Sequence, residues 1–420
     1  MSTSRRAFIG AGAATAAHVW VPKSVKGYTA AEIMTPAFAD EPLRRGEPVT
    51  PMKAGIMKAE LDTPALCVDL DKLERNIAKM QRTANANKIG VRPHAKTHKC
   101  AAIAKLQMAA GAIGICAAKL SEAEALLEQG LDRVLMTTSN LPPAKIRRAM
   151  QLKKRFPGFV QAVDYDQNAR DLNDAAKAAG VIADVVIDVA VGTRTGIPPG
   201  EDAIKLAQLV DKSPNLKLRG MLSYDGGAQH IGGFAERKAR ALANIEENAR
   251  TREKMHASGL NTEIFSGGGT GTYNIYHLVP GFTDIQAGSY IFMDMQYVAI
   301  GNADGQAVYD DFEPSLTVLA TVLNNRFPGR LTTDAGAKAL TLNVPHAGVI
   351  GEPDMDYNAG SDEFGSLTFK EARQEWKMGD RMEVIVPHCD PVVNLYDFIY
   401  GIRNDRVETV WPITARGHSQ

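Results

Sequence analysis

In the segment VRPHAKTHK, residues 91–99, a short apolar run ends in a turn that carries Lys96. A lysine at the end of a barrel strand faces the barrel mouth, where such folds place reactive groups. Burial or neighbouring positive charge lowers the pKa of a lysine amine and makes it nucleophilic. Potential cations crowd this one: Arg92, His94, His98 and Lys99. Lys96 is therefore a candidate imine-forming amine, and the alternative is a solvated basic turn.

Short strand-like runs alternate with helical patterns on both sides of this stretch. After an opening segment at residues 64–69, eight runs follow: 91–96, 114–118, 133–138, 159–164, 184–189, 218–224, 263–266 and 284–291. The intervening pattern at 70–87 places Leu73, Ile77 and Met80 at helical spacing. Eight strands with helices between them over about 240 residues predict a (β/α)8 TIM-like barrel of the α/β class. A doubly wound open sheet is the alternative.

The pattern changes after residue 300. Strand-like segments at 315–323, 330–333 and 381–387 are separated by Gly and Pro turns and have no obvious crossover helices. This is typical of a mostly antiparallel β domain. We therefore expect an export signal at 1–39, a linker at 40–60, a barrel at 61–300 and a β domain at 301–420.

Charge and cysteine content exclude several classes of function. Lys plus Arg equals Asp plus Glu at 48 each, and no block of like charge occurs, which argues against a nucleic-acid or anionic membrane partner. The four cysteines are scattered without CxxC spacing, so neither a zinc ribbon nor a disulfide framework is indicated. No stretch beyond the N-terminus approaches the roughly 18 apolar residues of a membrane span.

The N-terminus is similar to a twin-arginine export signal. SRRAFI, residues 4–9, opens a weakly apolar run that reaches Trp20, and residues 37–39 offer a small-x-small cleavage site. Export by this route predicts a periplasmic protein that folds before it leaves the cytoplasm. The alternative is an uncleaved N-terminus in a cytoplasmic protein.

Several polar residues follow the strand-like runs at the predicted barrel mouth. Arg194 follows the fifth run, Tyr224 closes the sixth, and His230 lies six residues further along the same loop. The seventh run ends in a glycine-rich loop whose backbone N–H groups can approach an anion; its candidate cofactor contacts are Ser266, Gly268, Gly269 and Thr270. Phosphate sites of barrels occur in the loops after strands seven and eight.

An imine-forming lysine opposite a phosphate cradle suits pyridoxal 5′-phosphate (PLP), which carries both an aldehyde and a phosphate. On these motifs the chain resembles the alanine-racemase-like (fold type III) PLP enzymes, in the branch of D-threonine aldolases and D-serine dehydratases, from about residue 61 to 413. The resemblance implies that Lys96 carries PLP, Arg194 faces the ring nitrogen and Tyr224 contacts the ring. It also implies that His230 is the general base for the substrate β-hydroxyl, and that the protein is a homodimer.

A candidate metal pair occurs in PHCD, residues 387–390, after an apolar run. If these residues continue the strand, His388 and Asp390 lie on the same face and can coordinate one ion, while Cys389 points away. The related branch carries a metal pair here, resembling His-x-Cys in dehydratases and His-x-Asp in aldolases. Asp390 favours the aldolase and Mn²⁺ or Mg²⁺, with Zn²⁺ as the softer alternative.

The resemblance therefore implies a retro-aldol cleavage of a small D-β-hydroxy amino acid to glycine and an aldehyde. A dehydratase that forms a keto acid and ammonia is the main alternative, and a racemase has no need of the metal pair. A PLP-homeostasis protein would typically be a bare barrel. D-threonine, D-phenylserine and D-3-hydroxyaspartate all stay open as substrates.

Overall fold

The computed structural model describes residues 51–420. The expected export signal at 1–39 and residues 40–50 of the expected linker lie outside the described residues. No helix in the described part of the chain combines the length and apolar character needed to cross a membrane.

The strands of the described chain form two sheets. They are β1 (Ala65–Asp69), β2 (Gly90–Val91), β3 (Ile115–Ala117), β4 (Val134–Met136), β5 (Phe159–Val163), β6 (Ala183–Asp188), β7 (Leu216–Ser223), β8 (Ile264–Gly267), β9 (Asp284–Ile285), β10 (Leu316–Asn324), β11 (Arg330–Thr333), β12 (Ala347–Val349), β13 (Glu352–Asn358), β14 (Gly365–Thr368), β15 (Arg381–Ile385), β16 (Phe398–Arg403) and β17 (Arg406–Pro412).

Helices follow most of the strands of the first half. They are α1 (Leu70–Ala86), α2 (Ala101–Ala109), α3 (Leu120–Glu128), α4 (Pro143–Arg155), α5 (Asp166–Ala179), α6 (Glu201–Lys212), α7 (Phe234–Ala257), α8 (Met295–Val298), α9 (Ala337–Leu340) and α10 (Cys389–Val393).

Eight parallel strands form the first sheet, in the order β2-β9-β8-β7-β6-β5-β4-β3. Its two ends meet because His94 bridges to Cys116 in parallel register, and the Cys116 N–H donates to the Pro93 carbonyl at 2.8 Å. Strands β3, β4 and β5 are buried along their whole length, as expected where helices cover the outside of a parallel sheet. The predicted TIM-like barrel is confirmed.

Two barrel strands are shorter than the sequence predicts. The run at 91–96 yields only Gly90–Val91, because Pro93 has no N–H to donate to the ladder. Lys96 lies instead in a 3-10 turn, Ala95–Thr97. The end of the eighth run, Ser289–Ile291, is also a 3-10 turn. Lys96 is therefore carried by a turn just beyond the strand.

Nine strands form the second sheet, in the order β11-β14-β13-β12-β15-β10-β1-β16-β17. All pairs are antiparallel except β1 with β16, so the predicted β domain is confirmed as mostly antiparallel. Strand β1 lies between β10 and β16. Although the expected barrel at 61–300 includes this strand, in the structure it pairs within the second sheet.

The second sheet brings a short helix to the barrel mouth. Strand β15 ends at Ile385, and the chain continues into α10, which packs against the 3-10 turn that carries Lys96. The first residue of α8, Met295, donates its N–H to the Val386 carbonyl at 3.1 Å. Residues from both sheets therefore meet at one end of the barrel.

Candidate active site

A cavity of about 580 Å³ opens at the C-terminal ends of the barrel strands. This is the end at which TIM-barrel enzymes carry their active sites. The predicted site residues Lys96, Arg194 and Tyr224 line it. Residues that the sequence analysis did not select also line it: His94, Lys119, Asp188, Gly226, Gly227 and Gln286.

Lys96 contacts the Asp390 carboxylate through its amine, with two-fifths of its side chain exposed to the cavity. Burial lowers the pKa of the Lys96 amine, but the Asp390 carboxylate and Tyr224 raise it more, so the pKa lies above its usual value. The same contact lowers the pKa of the buried Asp390 carboxyl despite its desolvation. In this structure the pair is therefore an ammonium held by a carboxylate.

The neighbouring cations expected to lower the pKa of Lys96 are neutral or paired. Arg92 donates to Asp284 at 3.1 Å, and Lys99 forms an ion pair with the wholly buried Glu122 at 3.0 Å. Burial lowers the pKa of His94 to about 3 and that of His98 to about 4, so both imidazoles are neutral at pH 7. These groups therefore add little free positive charge beside Lys96, and burial is the influence that lowers its pKa.

The C-terminal segment anchors the turn that carries Lys96. The Ala415 N–H donates to the Lys99 carbonyl at 2.8 Å, and the Lys99 amine also contacts the His418 carbonyl. The Gly417 N–H donates at 2.9 Å to Asn394, the residue at the end of α10. Residues 415–418 thus form hydrogen bonds both next to the turn that carries Lys96 and at the end of α10.

Arg194 and Tyr224 form one wall of the cavity. The Arg194 guanidinium lies 5.0 Å from the centre of the Tyr224 ring, a cation–π distance. Asp188, at the end of β6, faces the same cavity. Burial and the nearby Asp164 carboxylate raise the pKa of Asp188 to about 7. The wall therefore combines a fixed cation with a carboxyl group that titrates near neutrality.

The predicted glycine-rich loop is buried beside the cavity rather than lining it. Gly268 has φ +65°, and a Cβ there would come within 2.7 Å of Tyr276. Gln229 holds the loop by accepting the Gly271 N–H at 3.0 Å. Ser266 donates to Asp284, and Thr270 accepts the Tyr290 N–H at 3.0 Å. The loop is preformed by internal contacts.

Anion-binding groups are nevertheless present on both glycine-containing loops. Among the hydrogen bonds of residues 51–420, none is donated by the backbone N–H of Gly226, Gly227 or Gly268. The buried Tyr276 hydroxyl, next to Gly268, is also without a partner there. Gly268 and the Tyr276 hydroxyl are buried, and buried donors without partners are costly unless a ligand accepts from them, whereas Gly226 and Gly227 are exposed to the cavity. These groups fit the phosphate of PLP.

The motif at 387–390 does not continue the strand as predicted. Strand β15 ends at Ile385, and His388 precedes the first turn of α10, which contains Asp390. Cys389, expected to point away, offers a sulfur within 4.8 Å of ligand atoms of His388 and Asp294. Burial raises the pKa of the Cys389 thiol well above its usual value, which keeps it protonated.

The donor types at this helix fit a divalent cation. Imidazole and carboxylate are ligands of Mn²⁺, Mg²⁺ and Zn²⁺ sites. Asp390 already holds the Lys96 ammonium, so this position attracts positive charge. His388 is near enough to Asp390 for each to alter the other's pKa, which is raised at His388 and lowered at Asp390. Among the described residues, the group whose ligand atoms lie within 4.8 Å of one another is Asp294, His388 and Cys389, and Asp390 is not part of it.

His230 stands near this pair on the loop after β7. Its ring packs against Tyr297 at a tilt of 42°, with centroids 4.4 Å apart. Partial burial lowers the pKa of His230, so the imidazole is neutral at pH 7 and able to accept a proton. Charge interactions with His388, Lys96 and Asp390 show that all four groups lie in one region.

Sequence reasoning missed several residues of this region. Asp294 is wholly buried and accepts the Nδ1–H of His388 at 2.9 Å, yet it is a lone aspartate in an apolar loop. Gly226 and Gly227 carried a usable signal, because they follow a strand end as the selected glycines do. Tyr276 and Gln229 act on the loop from a distance in sequence and gave no local pattern.

Known proteins similar to this chain include alanine-racemase-like enzymes of the aldolase and dehydratase type. The family model for the alanine racemase N-terminal domain matches residues 68–296, and a putative serine dehydratase domain matches 315–402. A 3-hydroxy-D-aspartate aldolase of Paracoccus denitrificans is 36% identical over 87% of this chain and 95% of its own length. A D-threonine aldolase of Arthrobacter sp. is 34% identical over 88% and 97%.

A solved structure extends the agreement to the whole fold. The crystal structure of D-threonine aldolase from Filomicrobium marinum superposes with a TM-score of 0.84 at 36% identity. The match covers 88% of this chain and 100% of that one. Both sheets are therefore shared with this neighbour.

Proposed function

The chain belongs to the alanine racemase N-terminal domain family and is a lyase of the aldolase type, and from this premise we propose that it cleaves D-β-hydroxy amino acids to glycine and an aldehyde. The observation that carries the proposal is the contact between Lys96 and Asp390. It joins the predicted cofactor lysine of the barrel to the predicted metal carboxylate delivered by the second sheet.

Lys96 would hold PLP, Arg194 and Tyr224 would contact its ring, and the N–H groups of Gly226, Gly227 and Gly268 would be available to its phosphate. When bound, this cofactor supplies an aldehyde for amines and a ring that withdraws negative charge from the substrate Cα. A guanidinium has only hydrogen-bond donors, so Arg194 would donate to the ring nitrogen, which would then stay unprotonated. Other groups must therefore assist the bond cleavage.

His230 supplies the base in this proposal. A neutral imidazole accepts the proton of the substrate β-hydroxyl, and loss of that proton starts C–C cleavage. A divalent ion on His388 and Asp390 would act as a Lewis acid toward that hydroxyl. The oxygen donor of Asp390 supports Mn²⁺ or Mg²⁺, while Cys389 nearby keeps Zn²⁺ as the alternative.

A dehydratase is the second candidate, and one observation favours it. The Cys389 sulfur lies 3.7 Å from Asp390 Oδ1, next to the candidate metal pair, and the second half of the chain matches a serine dehydratase domain. In that reaction Lys96 would remove the α-proton and the metal would draw off the β-hydroxyl. The products are then a keto acid and ammonia.

The experiment that separates the two is product analysis on the purified protein loaded with PLP and Mn²⁺. We expect glycine from D-threonine and no keto acid from D-serine; keto acid without glycine would overturn the aldolase. Lys96→Ala should lose both activity and the absorbance of the lysine-bound cofactor. Lys338→Ala, a surface lysine paired with Glu363, is the matched control and should keep both.

The substrate side chain can be tested at Lys119. This lysine lines the cavity and forms no ion pair among residues 51–420, so it suits a second carboxylate on the substrate. Lys119→Met should raise KM for D-3-hydroxyaspartate about tenfold or more while changing KM for D-threonine little. Equal changes for both substrates would argue against a β-carboxylate contact.

We also propose that the mature enzyme is a periplasmic homodimer exported by the twin-arginine route. The sequence SRRAFI at 4–9 supports export. Replacement of Arg5 and Arg6 by lysine should retain the protein in the cytoplasmic fraction, and unchanged fractionation would contradict export. Light scattering of the purified protein should give twice the chain mass, whereas a monomer would contradict the dimer.

A further inference from the structure

Asp294 connects the two histidines of the candidate site. Its carboxylate is wholly buried. One oxygen accepts the Nδ1–H of His388 and the N–H of Cys389, each at 2.9 Å. The other accepts the Tyr297 N–H at 3.2 Å. Three donors on two elements therefore converge on one buried carboxylate.

The hydrogen bond between His388 Nδ1 and Asp294 determines whether Nε2 of His388 can bind a metal ion. A carboxylate accepts hydrogen bonds and cannot donate, so the proton of a neutral His388 lies on Nδ1. Its Nε2 then carries a free lone pair, which is the form that binds a metal ion. Carboxylates that orient ligand histidines in this way also make them more basic.

Asp294 also acts indirectly on His230, the proposed base, through α8 and Tyr297. Asp294 caps α8, the helix that contains Tyr297, and the Tyr297 ring packs against His230 at 4.4 Å. Because α8 has only four residues, Met295–Val298, its position depends on this cap and on the Met295 bond to Val386. A change at Asp294 should therefore reach both histidines.

We propose that Asp294 is a positioning residue that fixes the Nδ1–H form of His388 toward a divalent cation and holds the Tyr297 platform beneath His230. The inference rests on the proposed function in taking His388 as a metal ligand. Asp294 offers an oxygen within 4.8 Å of ligand atoms of His388 and Cys389, but a metal bound directly to it would have to displace the three hydrogen bonds that its oxygens accept, so we assign it to positioning rather than to ligation.

The first experiment measures Mn²⁺ affinity by calorimetry on the PLP-loaded protein without substrate. Asp294→Asn should weaken Mn²⁺ binding about 10- to 100-fold, as loss of such partners does elsewhere, with PLP affinity within about twofold. Asp284→Asn is the matched control, because Asp284 is equally buried but pairs with Arg92 inside the barrel wall. It should leave Mn²⁺ affinity unchanged.

Two outcomes would overturn the inference. One is an unchanged Mn²⁺ affinity in Asp294→Asn, and the other is an equal loss in Asp284→Asn, which would reduce Asp294 to a folding role. His388→Ala separates this failure from that of the proposed function. If His388→Ala keeps the affinity, the metal site itself is wrong; if it loses affinity while Asp294→Asn does not, only the role of Asp294 falls.

A second measurement uses the unaltered protein and so does not depend on a variant folding. Nitrogen NMR of histidine-labelled, Zn²⁺-loaded protein reports which ring nitrogen of His388 carries the proton. We expect a protonated Nδ1 and a metal-bound Nε2. A proton on Nε2 would overturn the inference, because His388 would then bind the metal through the nitrogen that faces Asp294.

Discussion

Two lysine–aspartate pairs in the same barrel have opposite surroundings. Lys153 and Asp184 form an ion pair with only 7% and 13% of their side chains exposed. Lys153 also donates to the Phe159 carbonyl at 3.1 Å, and Asp184 accepts from Arg219 at 2.8 Å. Lys96 and Asp390 have 40% and 17% exposed and face an open cavity.

The two pairs differ in how many protein partners their charged groups have, and this separates a structural pair from a reactive one. Every donor and acceptor of the Lys153 pair has further protein partners, so no proton or ligand exchanges there. Lys96 has one partner, Asp390, and space beside it for a substrate. Burial alone does not mark a functional lysine, because Lys153 is the more buried of the two; a single exchangeable partner next to a cavity does.

The largest change in stability is expected when the buried Lys153–Asp184 pair is broken. Lys153→Met should destabilise the protein by about 3 kcal/mol, since it removes one partner of a buried ion pair. Cofactor binding per folded molecule should not change. Denaturant unfolding and cofactor absorbance measure the two quantities. Lys96→Met is the contrast: Lys96 is two-fifths exposed and Asp390 borders the cavity, so we expect a smaller loss of stability, about 1–2 kcal/mol, and complete loss of the bound cofactor. Similar stability losses in both would contradict the distinction.

Asp188 sharpens the comparison because it is a cavity carboxyl that forms no ion pair among residues 51–420. Its pKa is raised to about 7, so the folded state binds more protons than the unfolded chain between about pH 4 and 7. The stability of the cofactor-free protein should therefore fall as pH rises through this window.

Asp188→Asn should remove that slope and stabilise the cofactor-free protein above pH 7 by about 2–4 kcal/mol. The measurement is denaturant unfolding at pH 5 and pH 8 in both proteins. An identical pH dependence in variant and wild type would show that Asp188 has an ordinary pKa.

The smallest change in stability is expected at Glu122. Its ion pair with Lys99 is buried, as the Lys153 pair is, and it lies beside the candidate site, as the Lys96 pair does. Glu122 and Lys99 adjoin the turn that carries Lys96. Glu122→Gln keeps a hydrogen-bonding side chain, so the stability loss should be about 1–2 kcal/mol. PLP affinity should fall severalfold because the turn loses an anchor. Fluorescence titration with PLP checks this, and unchanged affinity would mean that the C-terminal segment holds the turn alone.

The barrel was predictable because its signal is local and repeated. Each of the eight runs carries its own apolar pattern, so an error at one boundary does not change the count. Strand β1 was not assignable in this way. Its sequence, ALCVD, fits either sheet, and only pairing with β10 and β16 decides.

The candidate site was predictable where residues follow a strand end and not where partners come from afar. Lys96, Arg194, Tyr224 and His230 obey the first rule. The conformation of His388 and Asp390 was mistaken, although Pro391 offered a clue, because proline suits the first turn of a helix better than a strand. The pairing of Lys96 with Asp390 joins positions 294 residues apart and has no local signal.

The central place of β1 has a consequence for biosynthesis. This strand leaves the ribosome well before its hydrogen-bonding neighbours, since β10 and β16 lie more than 240 residues further along the chain. Pairings of such long sequence separation form slowly, since the intervening loop must close first. The second sheet therefore closes only after β16 has been synthesised, and chains that stop before β16 expose an unpaired apolar strand to chaperones and proteases.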